Sequence, residues 1–286
     1  LQTYLLIKAN IVMKYKMLVL DLDGTLTNNY KEITPRTKEA LMQAQAKGVR
    51  VVLASGRPTY GITPIANELM LTNHGGFILA FNGGKIIDYT SRETVFEQTI
   101  GKPEVEALYN AADKAGLAIL TYQDYGIVTT QKDNNYVEHE AFINKLPVTQ
   151  CDNFVEDLQY PINKCLIVGD PTPLHELELQ LSKDLFGQVE VYRSAGFFLE
   201  CVPPGVDKAK SLERLLAMVN IDKDDVIAVG DGFNDLSMIE YAGLGVAMDN
   251  APGEVKSRAN FVTSSNDEDG VAKVIEKFIL ELDVEE

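Results

Sequence analysis

The chain has no tryptophan, three cysteines, three histidines, and only 26 basic residues against 42 acidic ones. The cysteines (Cys151, Cys165 and Cys201) are far apart and form no CxxC pair, so we expect reduced thiols and a cytoplasmic location. The net charge of −16 argues against nucleic acid and anionic membrane surfaces as partners. No apolar run approaches the length of a membrane-spanning helix.

The first twelve residues are apolar but lack the basic start and the A-x-A cleavage site of a signal peptide. We expect residues 1–12 to be an extension ahead of the first strand. The remaining chain has the length of one large domain or two ordinary ones, and its hydrophobic content of 45% is enough for a sizeable core.

Short apolar runs alternate with helical patterns at both ends of the chain. Strands and helices alternate from Tyr15 to Phe81, and the alternation returns after Pro203. This order predicts an α/β protein with a doubly wound parallel sheet. The middle of the chain is richer in tyrosine and in alternating strand-like stretches. We therefore expect a discontinuous core of residues 13–84 and 200–286, with an α+β segment, residues 85–199, inserted into it.

Two carboxylates follow the first buried strand. Asp21 and Asp23 come directly after the apolar run Met17-Leu18-Val19-Leu20, and alternation along an extended chain points them the same way. Two acids at the carboxyl end of a buried strand are costly unless positive charge lies beside them. A divalent cation with a phosphate ester is the obvious candidate.

Three further polar clusters follow predicted strands or begin a predicted helix: Ser55, Lys208, and the stretch Gly230-Asp231-Gly232-Phe233-Asn234-Asp235. Taken singly, they have ordinary explanations as a helix cap, a surface lysine and a turn. In a doubly wound sheet, however, ligands bind outside the carboxyl ends of the strands, where these clusters would converge. The ordered set therefore favours a functional site.

The chemistry of these side chains predicts their roles. Asp21 and Asp231, with water and a phosphate oxygen, can complete the octahedral shell of Mg²⁺. Asp21 can attack phosphorus to give an aspartyl-phosphate, while Asp23 protonates the leaving alkoxide and later deprotonates water. The Ser55 hydroxyl and the Lys208 ammonium would hold the non-bridging oxygens.

From Lys14 to Leu280 the chain resembles the haloacid dehalogenase superfamily of phosphatases, and specifically its Cof-type branch. The resemblance is carried by Asp21-Leu22-Asp23-Gly24-Thr25-Leu26, Ala54-Ser55-Gly56-Arg57, Gly205-Val206-Asp207-Lys208 and Gly230-Asp231-Gly232-Phe233-Asn234-Asp235. It implies a Mg²⁺-dependent hydrolase of small phosphorylated metabolites, with sugar phosphates expected, and an inserted segment that acts as a mobile cap. Asp207 and Ala209 depart from the family pattern, which has a small polar residue and often a glycine there.

The resemblance also implies a complete set of site residues. The nucleophile is Asp21 and the general acid/base is Asp23. The metal ligands are Asp21, the Asp23 carbonyl and Asp231, with Asp235 in support. The phosphate contacts are the Leu22 backbone, Ser55, Gly56, Lys208 and Asn234.

Two alternatives remain open beside hydrolysis. A phosphomutase of the same superfamily would pass the phosphoryl group to another hydroxyl, and a receiver-type switch would only become phosphorylated. The Asp21/Asp23 spacing and the large insertion count against a receiver, which needs neither.

The sequence leaves the oligomeric state and the individual substrate undetermined. Solvated hairpins are common, but polar and aromatic residues near the predicted hairpins of the insertion could contact the leaving group. These residues are Tyr122, Asp124, Tyr125, Tyr136, His139 and Glu140.

Overall fold

The computed structural model describes residues 14–123 and 126–282. The expected N-terminal extension and the pair Asp124 and Tyr125 lie outside these ranges. The strands are β1 Met17–Leu20, β2 Arg50–Ala54, β3 Phe77–Ala80, β4 Lys85–Asp88, β5 Glu93–Glu97, β6 Ala118–Gln123, β7 Gly126–Thr129, β8 Val148–Gln150, β9 Cys165–Val168, β10 Glu190–Ala195, β11 Phe198–Val202, β12 Val226–Gly230, β13 Leu244–Ala247 and β14 Phe261–Val262. The helices are α1 Pro35–Ala46, α2 Thr59–Glu68, α3 Leu71–His74, α4 Lys102–Lys114, α5 Asn135–Asn144, α6 Pro171–Asp184, α7 Lys208–Val219, α8 Leu236–Tyr241, α9 Gly253–Arg258 and α10 Gly270–Phe278.

The first sheet has the order β14-β13-β12-β1-β2-β3-β4-β5 and is parallel from β14 to β3. Its central strand β1 is buried on both sides, as the uninterrupted apolar run predicts. Leu18 and Leu20 face a core that includes residues of α1, α2 and α10. Met17 and Val19 face the opposite core, which includes residues of α7 and α8. The predicted doubly wound α/β arrangement is confirmed.

Helix starts follow the local sequence signals. Thr34 caps α1 by accepting a hydrogen bond from the Thr37 amide, and Pro35 occupies the first helical position. The chain leaves α1 through Gly48, whose φ of +93° suits glycine. These signals set the length of α1 and return the chain to the sheet as β2.

The second sheet has the order β10-β11-β9-β6-β7-β8, with antiparallel pairs except for the parallel pair β7 and β8. Helices α4 and α6 cover one face, where Leu108 and Leu177 join a buried apolar cluster. Helix α5 covers the other face through Val137. This face lies toward the carboxyl edge of the first sheet, where Tyr122 approaches Phe81 with ring centroids 6.1 Å apart.

The two sheets divide the chain at positions other than those expected from the sequence. Strands β4 and β5 extend the first sheet by antiparallel pairing beyond β3, although residues 85–97 were expected in the insertion. Strand β11 belongs to the second sheet through Val202, past the expected return at residue 200. The two short strands after Gly84 carry no sequence signal that reveals which sheet they join. The division into core and cap stays a proposal. Among the described residues, no helix is long and apolar enough to cross a membrane.

Candidate active site

Three neighbouring parallel strands end at the site. Leu20 of β1 pairs with Leu53 of β2 on one side and with Val229 of β12 on the other. The amide of Asp21 continues this pairing by donating to the Val229 carbonyl at 3.0 Å. The residues that follow β1, β2 and β12 therefore meet at one edge of the sheet, as the sequence predicts.

Asp231 approaches the chain directly after β1. Thr25 Oγ1 donates to Asp231 Oδ1 at 2.8 Å. Gly24 has a φ of +83°, and a Cβ atom on it would overlap Asp231 Oδ2. The glycine therefore allows both the left-handed turn and the close approach of the carboxylate.

A buried lysine connects two of the aspartates. Lys208 Nζ donates to Asp21 Oδ1 at 2.6 Å, to Asp235 Oδ1 at 2.6 Å and to the carbonyl of Ala54 at 2.9 Å. Its side chain is fully buried. Asp207 serves as the N-cap of α7, where its carboxylate accepts from the amide of Lys210 at 3.0 Å. This cap accounts for the departure from the family pattern, and the structure places Lys208, not the exposed Lys210, at the site.

The aspartates form a group with the composition of a divalent-cation site. Carboxylate oxygens of Asp21, Asp231 and Asp235 lie within 4.8 Å of one another. Asp235 Oδ2 also accepts from the amides of Asp231 and Gly232 at 3.0 and 2.8 Å, which fixes its orientation. Closely spaced, oriented carboxylate oxygens are the ligands that Mg²⁺ prefers, so these residues fit that ion.

The charge balance of the group also fits a cation. Burial and the neighbouring Asp235 raise the pKa of Asp21 to about 8, although Lys208 acts in the opposite direction. Burial raises the pKa of Asp231 to about 6, against the hydrogen bond from Thr25. Burial alone would lower the pKa of Lys208, but Asp21 and Asp235 raise it and keep the ammonium charged. One lysine does not neutralise three clustered carboxylates, and an added divalent cation would.

Asp23 has a different environment from Asp21. Arg57 donates to both of its carboxylate oxygens, at 2.7 and 2.6 Å, and Lys31 Nζ lies 2.6 Å from Oδ1. Burial alone would raise the pKa of Asp23, but hydrogen bonds and charge from Arg57 and Lys31 lower it. The two acids are thus chemically distinct: Asp21 is buried among carboxylates, and Asp23 is held as an ion by two cations.

Of the other residues expected to contact phosphate, some line the cavity beside the aspartates and one does not. Ser55, Gly56 and Asn234 line a cavity together with Asp21, Asp23, Asp231, Asp235 and Lys208. Asn234 Nδ2 lies 3.3 Å from Asn82 Oδ1, and Ser55 Oγ accepts from the Arg57 amide at 3.2 Å. Leu22 does not line the cavity: its side chain is buried in the core, and its carbonyl accepts from Thr27.

The second sheet forms one wall of the cavity, whose volume is about 750 Å³. Glu140, Lys164 and Glu200 line its far wall. Lys164 Nζ donates to the carbonyl of Gly56 at 3.4 Å, and Asn82 Nδ2 donates to the Tyr192 hydroxyl at 3.2 Å. These contacts join the predicted insertion to the loops that follow β2 and β3.

Sequence reasoning missed several of these residues. Lys31 carries no sequence signal beyond its proximity to Asp23, and Thr25 lies in the first quoted motif but has no role assigned from the sequence. No sequence signal brings Lys164 and Glu200 to the site. Arg57, which belongs to the second of the quoted motifs, forms an ion pair with Asp23. Of the insertion residues considered as leaving-group contacts, Glu140 lines the cavity, whereas Tyr136 and His139 contact Phe197.

The fold and this site together define an α/β protein with an acidic, lysine-bridged centre at the carboxyl edge of its parallel sheet. A sequence model of the haloacid dehalogenase-like hydrolases matches residues 18–275. The chain therefore belongs to this family of hydrolytic enzymes, and the resemblance drawn from its motifs is confirmed.

Individual relatives agree with this assignment. The structure of a haloacid dehalogenase-like hydrolase from Bacteroides thetaiotaomicron is 50% identical with a TM-score of 0.90, covering 92% of this chain and 99% of that one. The subclass IIB sugar phosphatase BT4131 is 28% identical with a TM-score of 0.79, covering 92% and 98%. The YxeH protein of Bacillus subtilis strain 168 is 32% identical over 269 residues, 93% of this chain and 99% of its own length.

Proposed function

We propose that the protein is a Mg²⁺-dependent phosphate monoester hydrolase that acts on small phosphorylated metabolites, in particular sugar phosphates. The observation that carries this proposal is the lysine-bridged aspartate group where β1, β2 and β12 end. Similarity to a sugar phosphatase over nearly the whole chain supports the substrate class.

In this mechanism Asp21 is the nucleophile. A carboxylate oxygen of Asp21 attacks phosphorus, a bond forms between them, and the bond from phosphorus to the leaving-group oxygen breaks. The product is an aspartyl-phosphate on Asp21. Lys208 orients the attacking carboxylate through Oδ1 and places a fixed positive charge beside the reacting phosphoryl group.

The proposed metal ligands are Asp21, the Asp23 carbonyl and Asp231, with Asp235 holding the loop in place. Bound Mg²⁺ would supply the charge that keeps the carboxylates ionised and offsets the negative charge of the phosphoryl oxygens. The Ser55 hydroxyl, the Gly56 and Leu22 backbone and Asn234 are the proposed further contacts of the phosphate.

Asp23 is proposed to carry the proton. It protonates the leaving alkoxide in the first step and takes a proton from the water that hydrolyses the aspartyl-phosphate in the second. Arg57 and Lys31 stabilise the ionised form of Asp23 in this arrangement. The acid step therefore requires these contacts to loosen when the substrate binds.

A substrate panel tests the proposal. The protein is incubated with Mg²⁺ and a set of sugar phosphates, and free phosphate is followed alongside the variants Asp21→Asn and Asp113→Asn. Steady multiple turnover that is lost in Asp21→Asn and kept in Asp113→Asn, an exposed position on α4, supports hydrolysis. An isomerised sugar phosphate without phosphate release would instead indicate a mutase, and a single phosphorylation without release would indicate a switch.

A further inference from the structure

The cavity wall opposite Asp21 contains two buried carboxylates and one buried ammonium. We call Glu140, Lys164 and Glu200 the cap wall. They come from α5, from the residue before β9 and from β11, and all three line the cavity. Each is buried, with 5–8% of its surface exposed. Ionisable groups this deeply buried require partners, and the identity of those partners limits what a ligand can bind.

The hydrogen-bond donors of this region already point at the carboxylates. Tyr122 Oη and Asn144 Nδ2 both donate to Glu140 Oε1, at 2.5 and 2.7 Å. Ser194 Oγ donates to Glu200 Oε1 at 2.9 Å. The donors nearest the two carboxylates are therefore engaged before a substrate enters.

The lysine is similarly engaged. Lys164 Nζ lies 3.0 Å from Glu200 Oε2, donates to the Gly56 carbonyl and lies 4.9 Å from the centre of the Tyr122 ring. Glu200 Oε2 nevertheless receives no hydrogen bond of good geometry. That atom is itself buried beside Lys164. Each carboxylate oxygen can accept two hydrogen bonds, and among the described residues the donors to Glu140 both act on Oε1 while Ser194 alone acts on Glu200 Oε1. Glu140 Oε2 and Glu200 Oε1 therefore have acceptor capacity left for a ligand.

The charges of the residues that line the cavity also limit which ligands can bind. The cap wall carries two negative charges and one positive charge. Among the described lining residues, the other cations are held by acids: Arg193 by Glu178 at 2.7 Å, Arg57 by Asp23, and Lys208 by Asp21 and Asp235. A second anionic group on the substrate would meet a net negative wall without a spare cation.

We infer that the enzyme selects an uncharged, hydroxyl-rich leaving group that donates hydrogen bonds to Glu140 and Glu200, and discriminates against substrates with a second anionic group. This inference rests on the proposed function. A charge in a cavity of about 750 Å³ lies within roughly 10 Å of both carboxylates. Like charges at such distances in a partly buried site cost enough to lower kcat/KM by on the order of 10- to 100-fold.

Matched substrate pairs test the inference. Glucose 1-phosphate and glucuronic acid 1-phosphate differ only by a carboxylate in place of the C6 hydroxymethyl group. Glucitol 6-phosphate and 6-phosphogluconate, both acyclic, form a second pair that differs in the same way at C1. The ratio of kcat/KM within each pair is measured for the wild type and for Glu200→Gln, Glu140→Gln and Glu138→Gln. Glu138 lies on α5 like Glu140 but is exposed, so it is the control.

In at least one pair the wild type should prefer the uncharged substrate by about 10-fold or more. Glu200→Gln keeps the shape of the side chain and removes the charge that faces Lys164, so it should narrow that preference by about 10-fold, mainly by raising kcat/KM for the carboxylate substrate. Glu140→Gln should also narrow the preference for the uncharged substrate. This variant carries the test if circular dichroism shows that Glu200→Gln is misfolded. Glu138→Gln should leave it unchanged.

Equal efficiency within every hydrolysed pair, or a preference that neither variant narrows, would overturn the inference while leaving the hydrolase intact. The absence of phosphate release from all four substrates and from the wider sugar phosphate panel would overturn the proposed function, and the inference with it.

Discussion

Replacing Asp21 with asparagine should stabilise the metal-free protein, and the gain should grow with pH. Burial and the nearby Asp235 raise the pKa of Asp21 from its usual 3.8 to about 8 in the folded protein. A carboxyl group with a raised folded-state pKa favours folding only while it is protonated. Its contribution is full below pH 3.8, and it is lost as the pH rises toward 8.

The size of the effect follows from the same interval. The interval between the ordinary pKa of 3.8 and pH 7 is about three pH units. Each unit is worth about 1.4 kcal/mol of unfolding free energy. The ionisable Asp21 therefore costs the metal-free protein up to about 4 kcal/mol at pH 7, and asparagine removes this cost. At pH 5 the same arithmetic gives about 2 kcal/mol. The difference at pH 7 corresponds to a rise in Tm of roughly 7 °C in a chain of this size.

Thermal unfolding followed by circular dichroism in EDTA at pH 5, 7 and 8 measures the effect, with Asp113→Asn as the control. In Mg²⁺ the wild type should gain more stability than Asp21→Asn, which has lost a carboxylate ligand. The reasoning is refuted if Asp21→Asn is less stable than the wild type in EDTA at pH 7, or if the stability difference does not increase from pH 5 to pH 8.

Three other substitutions test separate parts of the account. Asp23→Asn should lower kcat on sugar phosphates by roughly 10²–10⁴ through loss of the proton carrier, and near wild-type turnover would remove Asp23 from the mechanism. Gly24→Ala should weaken Mg²⁺ binding measured by calorimetry, because the new Cβ would overlap Asp231 and the φ of +83° disfavours alanine; unchanged affinity would contradict the proposed ligand set. Ile275→Ala, at a fully buried position of α10, should lower the free energy of unfolding by about 2–5 kcal/mol in urea, and a loss below 1 kcal/mol would be inconsistent with its packing.

The sequence predicts the core sheet well because its signals are local. The run Met17–Leu20 is bounded by Asp21, and the observed β1 has the same limits. Helix α7 begins at Lys208 as predicted, and the structure adds Asp207 as its N-cap. Since parallel strands end at one edge of the sheet, convergence of Asp21, Ser55 and Asp231 is predictable without coordinates.

The contacts that distinguish the two acids are not local. Asp23 meets Arg57 across 34 positions of sequence, and Lys208 meets Asp21 across 187. Such pairings depend on side-chain direction and on the loops between elements, which residue type alone does not specify. Burial and Asp235 raise the pKa of Asp21, whereas Arg57 and Lys31 lower that of Asp23, so the chemical difference between the two acids required the structure.

The boundaries of the insertion were beyond sequence reasoning for a related reason. The sequence of strand β4 would suit either sheet, and only its pairing with β3 assigns it to the first. The cap wall likewise combines Glu140, Lys164 and Glu200 from three separate elements. The roles assigned to the site residues stay predictions until they are tested in solution.

The central claim is that Asp21 forms a covalent phosphoenzyme that water then hydrolyses. The most direct measurement is rapid acid quenching after mixing with ³²P-labelled sugar phosphate and Mg²⁺, followed by mapping of the label. The account predicts acid-stable label on the peptide that contains Asp21, its discharge as free phosphate in continued turnover, and no label in Asp21→Asn. Label on another residue, or sustained phosphate release by Asp21→Asn, would contradict it.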